Sequence, residues 1–402
     1  MSEQAVSTKP KYGALVQITA LCIALMMYTT SVTTPALSAI AQSVGVDYEA
    51  IKLVSSLPSL MLVFFSLVGG WLTTKLSIKK CTIISLVLMA VGGLPGIFGG
   101  YEFIVASRVF FGAGYGMVFV LASAVITDLF DGSTKDRMMG WKSGVGAIAG
   151  VIFQTLGGIL VAINWRFVFL CIFLCIPILL LVLFFLPDTG VQASKGPATG
   201  KFTSQLWITV IVGFLLNVFQ FAYMQNMTLV ILDPANTIGT ALDAANILSM
   251  FTALSFVAGL VYFMFSKWVG RFTPAIAILL VGIGFLVALY AQSVPMFFVA
   301  SALFGLGFGF TNPSLTLVAA AGVTHPSKTP RAISIYVCAT GLGQFFCTYI
   351  LNFLVGIFGF TGTRAQWNVS AYAITGGAII GLVLLAVLGG KKATSAAATA
   401  TE

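Results

Sequence analysis

The chain has 402 residues, 59% of them hydrophobic and 8% charged, with a formal net charge of +9. Soluble domains carry about 25% charged residues, so a water-soluble fold is excluded and a bilayer must solvate most of this surface. The positive charge is scattered rather than gathered on one folded surface, which argues against nucleic-acid binding.

A spanning helix needs roughly 20 apolar residues. The apolar runs are continuous rather than alternating, so they predict helices and not a barrel. Twelve spans are expected, at about 14–38, 50–73, 80–99, 103–127, 140–162, 165–186, 206–231, 243–265, 273–291, 295–319, 332–356 and 369–389. The fold class is therefore an all-α membrane protein of 12 transmembrane helices. The polar first residues and the length of the first run predict no cleaved leader.

In chain order, the first span carries a polar cluster, Tyr28, Thr29 and Thr30. Spans 2 and 3 are joined by GGWLTTKLSIKK, which contains Gly70, Lys75 and Lys79. Span 4 carries RVFFGAGYGM from Arg108, about five residues inside it, and Asp128 stands at its cytoplasmic end. Span 5 holds the glycine-rich stretch GVGAIAGVIFQTLGG, residues 144–158, with Gln154 inside it. Residues 187–205, rich in Gly, Ser, Thr and Pro, read as a flexible cytoplasmic linker. They separate an N-terminal six-helix bundle, 1–186, from a C-terminal one, 206–390. Span 7 reads LLNVFQFAYMQNM, in which Asn217, Gln220 and Tyr223 recur every three residues and share a stripe. Asn312 falls in span 10 and Gln344 in span 11, and the tail 391–402 is expected to be disordered.

Sixteen of the twenty lysines and arginines fall in the termini and even-numbered connections. Lys52, Arg166 and Arg364 fall in the odd ones, and Arg108 lies inside a span. Basic residues prefer the cytoplasmic side, so both termini are expected there. The halves also repeat: RVFFGAGYGM aligns with SALFGLGFGF from Ser301 at an offset of 193, and GWLTTKLSIK with FMFSKWVGRF at the same offset. Duplicated six-helix units are common in secondary transporters, whose substrate site lies between the halves.

These residues resemble the major facilitator superfamily, closest to its drug:proton antiporter branch. Gly70, Leu72 and Lys79 match the signature between helices 2 and 3, and Lys75 keeps the charge of its first arginine. Thr74 replaces the acid, Ser77 the glycine and Ile78 the second arginine. Arg108, Gly112 and Gly116 resemble that branch's helix 4 motif, and residues 144–158 its helix 5 motif, with Val151 where proline is usual. NWRFVFL and LPDT around helix 6 resemble the branch as well. The resemblance implies alternating access, with the helix 2–3 loop latching the cytoplasmic side. Without an acid at Thr74, Asp128 is the candidate partner of Lys75 or Lys79.

Arg108 is the most informative single residue. Intramembrane charges usually face a cavity or a partner. It reads either as a contact for substrate or coupling ion, or as an arginine satisfied by helix 1 carbonyls or reaching the outer interface. The amides Gln154, Asn217, Gln220, Asn312 and Gln344, with Tyr28 and Tyr223, read as cavity lining or as interhelical bonding. No Asp or Glu lies near the middle of any span, and the single histidine, His325, falls in a connection. A strongly cationic substrate is disfavoured for want of a counter-charge. The six cysteines suggest packing rather than metal ligation, and no metal or cofactor is expected.

The expected function is proton-coupled efflux of small neutral or amphipathic organic compounds by a single chain in the cell membrane. Uptake or exchange of an organic anion is the alternative, and a non-transporting receptor is a further one. An enzyme would need convergent acids, histidines or metal ligands that the spans lack.

Overall fold

Helices account for nearly all of the protein, whose structure, a computed structural model, describes residues 12–191, 201–325 and 328–399. Residues 1–11 with Lys9 and Lys11, the linker stretch 192–200 and the last three tail residues lie outside the described residues. The chain divides into two compact units, 1–197 and 198–402.

The first unit begins with α1 (Ala14–Leu25), a 3-10 segment (Met26–Ala36) and α2 (Leu37–Val44). The short α3 (Tyr48–Ile51) leads into α4 (Leu53–Leu72), followed by α5 (Ile78–Phe98), α6 (Tyr101–Leu129) and α7 (Gly132–Ile163). A second 3-10 segment (Trp165–Leu174) and α8 (Cys175–Phe185) complete it. The second unit holds α9 (Ser204–Ile231), α10 (Ala241–Val269), a 3-10 turn (Gly270–Phe272) and α11 (Thr273–Tyr290). It ends with α12 (Val294–Ala321), α13 (Thr329–Phe358) and α14 (Ala365–Thr399).

Eleven stretches among the described residues are long and apolar enough to cross a membrane. The expectation of twelve differs because residues 241–290 run as one 50-residue stretch. Within it α10 and α11 are separate helices, broken where Gly270 takes φ +60°, a left-handed conformation that glycine adopts without strain. The last helix also departs from expectation, continuing to Thr399 through a tail read as disordered. Its alanines, Ala393 and Ala396–Ala398, are strong helix formers and extend the turn already begun in the span.

The two glycine-rich helices show why the halves repeat. In α6, Gly112 and Gly116 are four residues apart on one face, against Met61 and Leu62 of α4. Gly114, on the opposite face, sits against Ser85 and Met89 of α5. In α12, Gly305 and Gly309 press on Phe251 and Ser255 of α10, while Gly307 presses on Val281 of α11. A Cβ at any of the six would fall inside 3.0 Å of a neighbour. Small residues let helix backbones approach where lipid supplies no hydrophobic drive for association. Each unit is thus centred on one helix clamped between two others.

The units differ in their first helices. Where α9 is regular throughout, its counterpart tightens to 3-10 geometry between Met26 and Ala36. Thr29 and Thr33 turn their hydroxyls back onto carbonyls three residues earlier, and Pro35 cannot donate a backbone bond. α7 closes on this segment through glycines, with Gly146 against the Tyr28 ring and Gly157 against the Val32 carbonyl.

Candidate functional site

The polar residues singled out above fall into separate sets in the two units. In the first unit, Arg108 on α6 is 1% exposed. Its Nη2 lies 3.5 Å from Ser107 Oγ, at the limit of a hydrogen bond, and buried Nε has no partner. The guanidinium carbon sits 5.0 Å from the Phe111 ring centroid and 4.8 Å from that of Phe169. A central arginine costs about 2.5–3.5 kcal/mol on insertion scales. Desolvated cation–π contacts offset this by about 2 kcal/mol. They act on the flat faces of the group and give its in-plane N–H donors no acceptor. Neither helix 1 carbonyls nor the outer interface satisfies the group, contrary to the alternative weighed for it. Gln154 on α7 is buried, and Tyr28 is half-buried against Gly146.

In the second unit two of the four expected cavity amides bond to one another. Gln344 Nε2 donates to Asn217 Oδ1 at 3.2 Å, and Asn217 Nδ2 donates to the Gly213 carbonyl at 3.0 Å. Tyr223 leaves the predicted stripe for the core, where its hydroxyl lies 2.7 Å from Ser301 Oγ and its ring stacks on Phe304 at 4.1 Å. Asn312 donates back to the Phe308 carbonyl at 3.3 Å. Gln220 stands apart: it is 4% exposed and its amide nitrogen has no partner among the described residues.

The hairpin between α4 and α5 places its residues unevenly. Gly70 faces open space, and it is Gly69 that packs, its position for a Cβ lying 3.3 Å from Met117. Lys75 is exposed. Lys79 and Asp128 line one shallow cleft with Leu186, Pro187 and Thr189. Lys79 Nζ donates to the Leu183 carbonyl at 2.9 Å, and the Thr189 hydroxyl donates to Asp128 Oδ2. Asp188 is held below its usual carboxylate range, first by a hydrogen bond from Ser77, then by the Gly190 N–H, with Lys80 and Lys79 adding to it. The strap 183–190 therefore joins the hairpin to the end of α6.

Sequence reasoning missed two groups. One is a second set of amide rungs: Thr348 donates to Gln225 at 3.0 Å, and Asn226 donates to Gln366 at 2.9 Å. The other is a matched pair of arginine clamps. Arg166 Nη1 donates to the carbonyls of Ile97 and Gly99, at 2.6 and 3.2 Å, at the end of α5. Arg364 donates to those of Leu289 and Ala291, both at 2.6 Å, at the end of α11. Each cation satisfies carbonyls at the negative end of a helix dipole. The signal was available, since each arginine opens the last helical stretch of its half. Their offset, however, is 198 rather than 193, so a single-offset comparison passes over them.

No group of three His, Cys, Asp or Glu side chains suited to a metal occurs among the described residues, and all six cysteines are free thiols.

The family profile described as Major Facilitator Superfamily matches residues 19–274. No curated protein matches the sequence significantly. Among solved structures, the nucleoside transporter NupG is similar with a TM-score of 0.73 at 14% identity, covering 91% of this chain and 97% of its own. A D-xylose–proton symporter gives 0.70 at 14% identity, covering 92% and 97%. The peptide transporter POT in complex with sulfate gives 0.74 at 14% identity, covering 95% and 97%. Likeness at such identity speaks for the fold alone.

Proposed function

Because the chain belongs to the Major Facilitator Superfamily, a family of membrane transporters, we propose that it is a secondary active transporter working by alternating access. It exports small neutral or amphipathic organic compounds from the cell in exchange for protons. This reading takes the chain as twelve crossings in two six-helix bundles. The 50-residue stretch 241–290 would extend about 75 Å as one helix, more than twice the hydrocarbon thickness, and its break at Gly270 supports reading it as two crossings. In this reading the protein acts as a monomer in the cell membrane with both termini in the cytoplasm, an orientation that the distribution of basic residues supports.

The observation that carries the substrate reading is Gln220. A buried amide with an unpartnered N–H is costly and needs an acceptor or water. A polar group of a transported compound supplies that acceptor. Asn217, Tyr223, Asn312 and Gln344 are the further candidates of the second unit, and Tyr28 and Gln154 those of the first. Gly70, Lys75, Lys79 and Asp128 form the cytoplasmic latch, with the Thr189 hydroxyl reaching Asp128 where Thr74 offers no charge.

Flux of a compound panel in reconstituted vesicles, with and without an imposed pH gradient, tests the reading. Uphill movement of at least one neutral or amphipathic compound that collapses with the gradient is expected, along with weakened flux in Gln220→Leu. Flux indifferent to the gradient removes the proton from the mechanism.

A further inference from the structure

We infer that Arg108 anchors an anionic head group, so that the compounds carried are amphipathic organic acids moving as monoanions. This deepens the transport reading above and rests on it.

Four observations support the assignment. The side chain is 1% exposed, and among the described residues its one hydrogen-bond contact is at 3.5 Å to Ser107. No carboxylate lies near the middle of any span, and Arg108 makes no ion pair among the described residues. Phe111 and Phe169 cover the guanidinium at 5.0 and 4.8 Å, and buried Nε finds no acceptor among the described residues. Lastly, the repeat position in the second unit is Ser301, whose hydroxyl is already taken by Tyr223 at 2.7 Å. The duplicated scaffold does supply an internal partner where none is wanted from outside, and at Arg108 it supplies none.

The chemistry selects the ligand. A guanidinium presents a planar fork of donors that fits two oxygens of a carboxylate or sulfonate, with charge assistance strengthening each bond. Phe111 and Phe169 offer an apolar wall to an aromatic or aliphatic body beside that head. Gly92 and Gly96 of α5 make room for them, because a Cβ at either would collide with Phe111 or Phe169. Arg108 is closed to solvent in this structure, so the head group reaches it in another state of the alternating cycle.

The test uses the full chain with three probes of one skeleton: 4-phenylbutanoate, 4-phenylbutanesulfonate and the neutral 4-phenylbutanamide. Binding is read as a thermal shift in detergent and transport as flux in vesicles. The two anions should be preferred over the amide in the parent protein. Arg108→Met should lower the anion-to-amide ratio about tenfold or more, the scale of one charged hydrogen bond. Arg108→Lys, which keeps the charge and guards against a folding defect, should recover part of the ratio. An equal loss for anion and amide in both variants would make the arginine structural and overturn the assignment. Movement of the amide with rejection of both anions overturns this inference alone, and leaves the transport reading intact. No movement of any panel compound overturns the transport reading and this inference together.

Discussion

The two units share a scaffold and part company at one register position. α6 and α12 are each clamped by three glycines at equivalent positions, and Phe111 and Phe304 follow three residues after Arg108 and Ser301 respectively. In the second unit the polar atom there is closed off by Tyr223. In the first, the helix that would supply such a partner has tightened into 3-10 geometry, and the guanidinium is left with two aromatic faces and the 3.5 Å contact to Ser107. A mid-helix 3-10 stretch often marks a functional hinge or strain. The lesson is that the repeat preserves the packing that holds helices together, while the polar position between the clamps is free to diverge.

If the glycine clamps are what the units share, breaking them should do the most damage, and equally in both. Gly114→Leu and Gly307→Leu should each cost about 3 kcal/mol or more, because overpacking a backbone contact cannot be relieved by a rotamer change. Thermal unfolding in detergent measures this, and tolerance of either variant would remove the clamp from the account. Second in size is the closed site. Tyr223→Phe leaves a buried hydroxyl without its partner, at a cost of about 1–3 kcal/mol. The double variant Tyr223→Phe with Ser301→Ala should regain most of that loss, since removing both partners of a buried hydrogen bond is nearly neutral. A double variant worse than the sum would show that the pair holds more than itself.

The arginine clamps sharpen the comparison further. Arg364 is drawn to Asp233, which also accepts from the Thr363 hydroxyl at 2.7 Å, whereas Arg166 has its carbonyls and Trp165. Arg364→Met should therefore destabilise more than Arg166→Met, with losses of about 1–2 kcal/mol for a partly buried cation at a helix end. Equal losses would make Asp233 irrelevant to the clamp. The smallest effect belongs to the exposed strap. Asp188 has a depressed pKa, so its contribution is present above the ordinary carboxylate range and lost as pH falls through its folded value. Amide hydrogen exchange over 183–190 should quicken on acidification, modestly and less so at high salt. Asp188→Asn should abolish that pH dependence, and an unchanged profile would assign it to another group.

Much of the fold is legible in the sequence because bilayer thickness imposes its own ruler. The expected span 206–231 became Ser204–Ile231, and 80–99 became Ile78–Phe98. The Arg108 motif and its glycines were also legible, since charge and small residues are rare enough in a span to stand out. What periodicity cannot give is the occupant of the facing surface. Asn217, Gln220 and Tyr223 share a spacing, yet Asn217 meets Gln344, Tyr223 meets Ser301, and Gln220 has an unpartnered amide nitrogen. The 3-10 geometry of Met26–Ala36 was hidden for a related reason. It arises from threonine back-bonding, proline and close approach of α7, none of which alters hydropathy.

Counterflow in reconstituted vesicles tests the central claim most directly. Vesicles are loaded with excess unlabelled compound and given a trace of the same compound, labelled, outside, with no ion gradient. A carrier that alternates between two faces predicts that label transiently accumulates inside above its equilibrium level. A monotonic approach to equilibrium, or binding without accumulation, would contradict it.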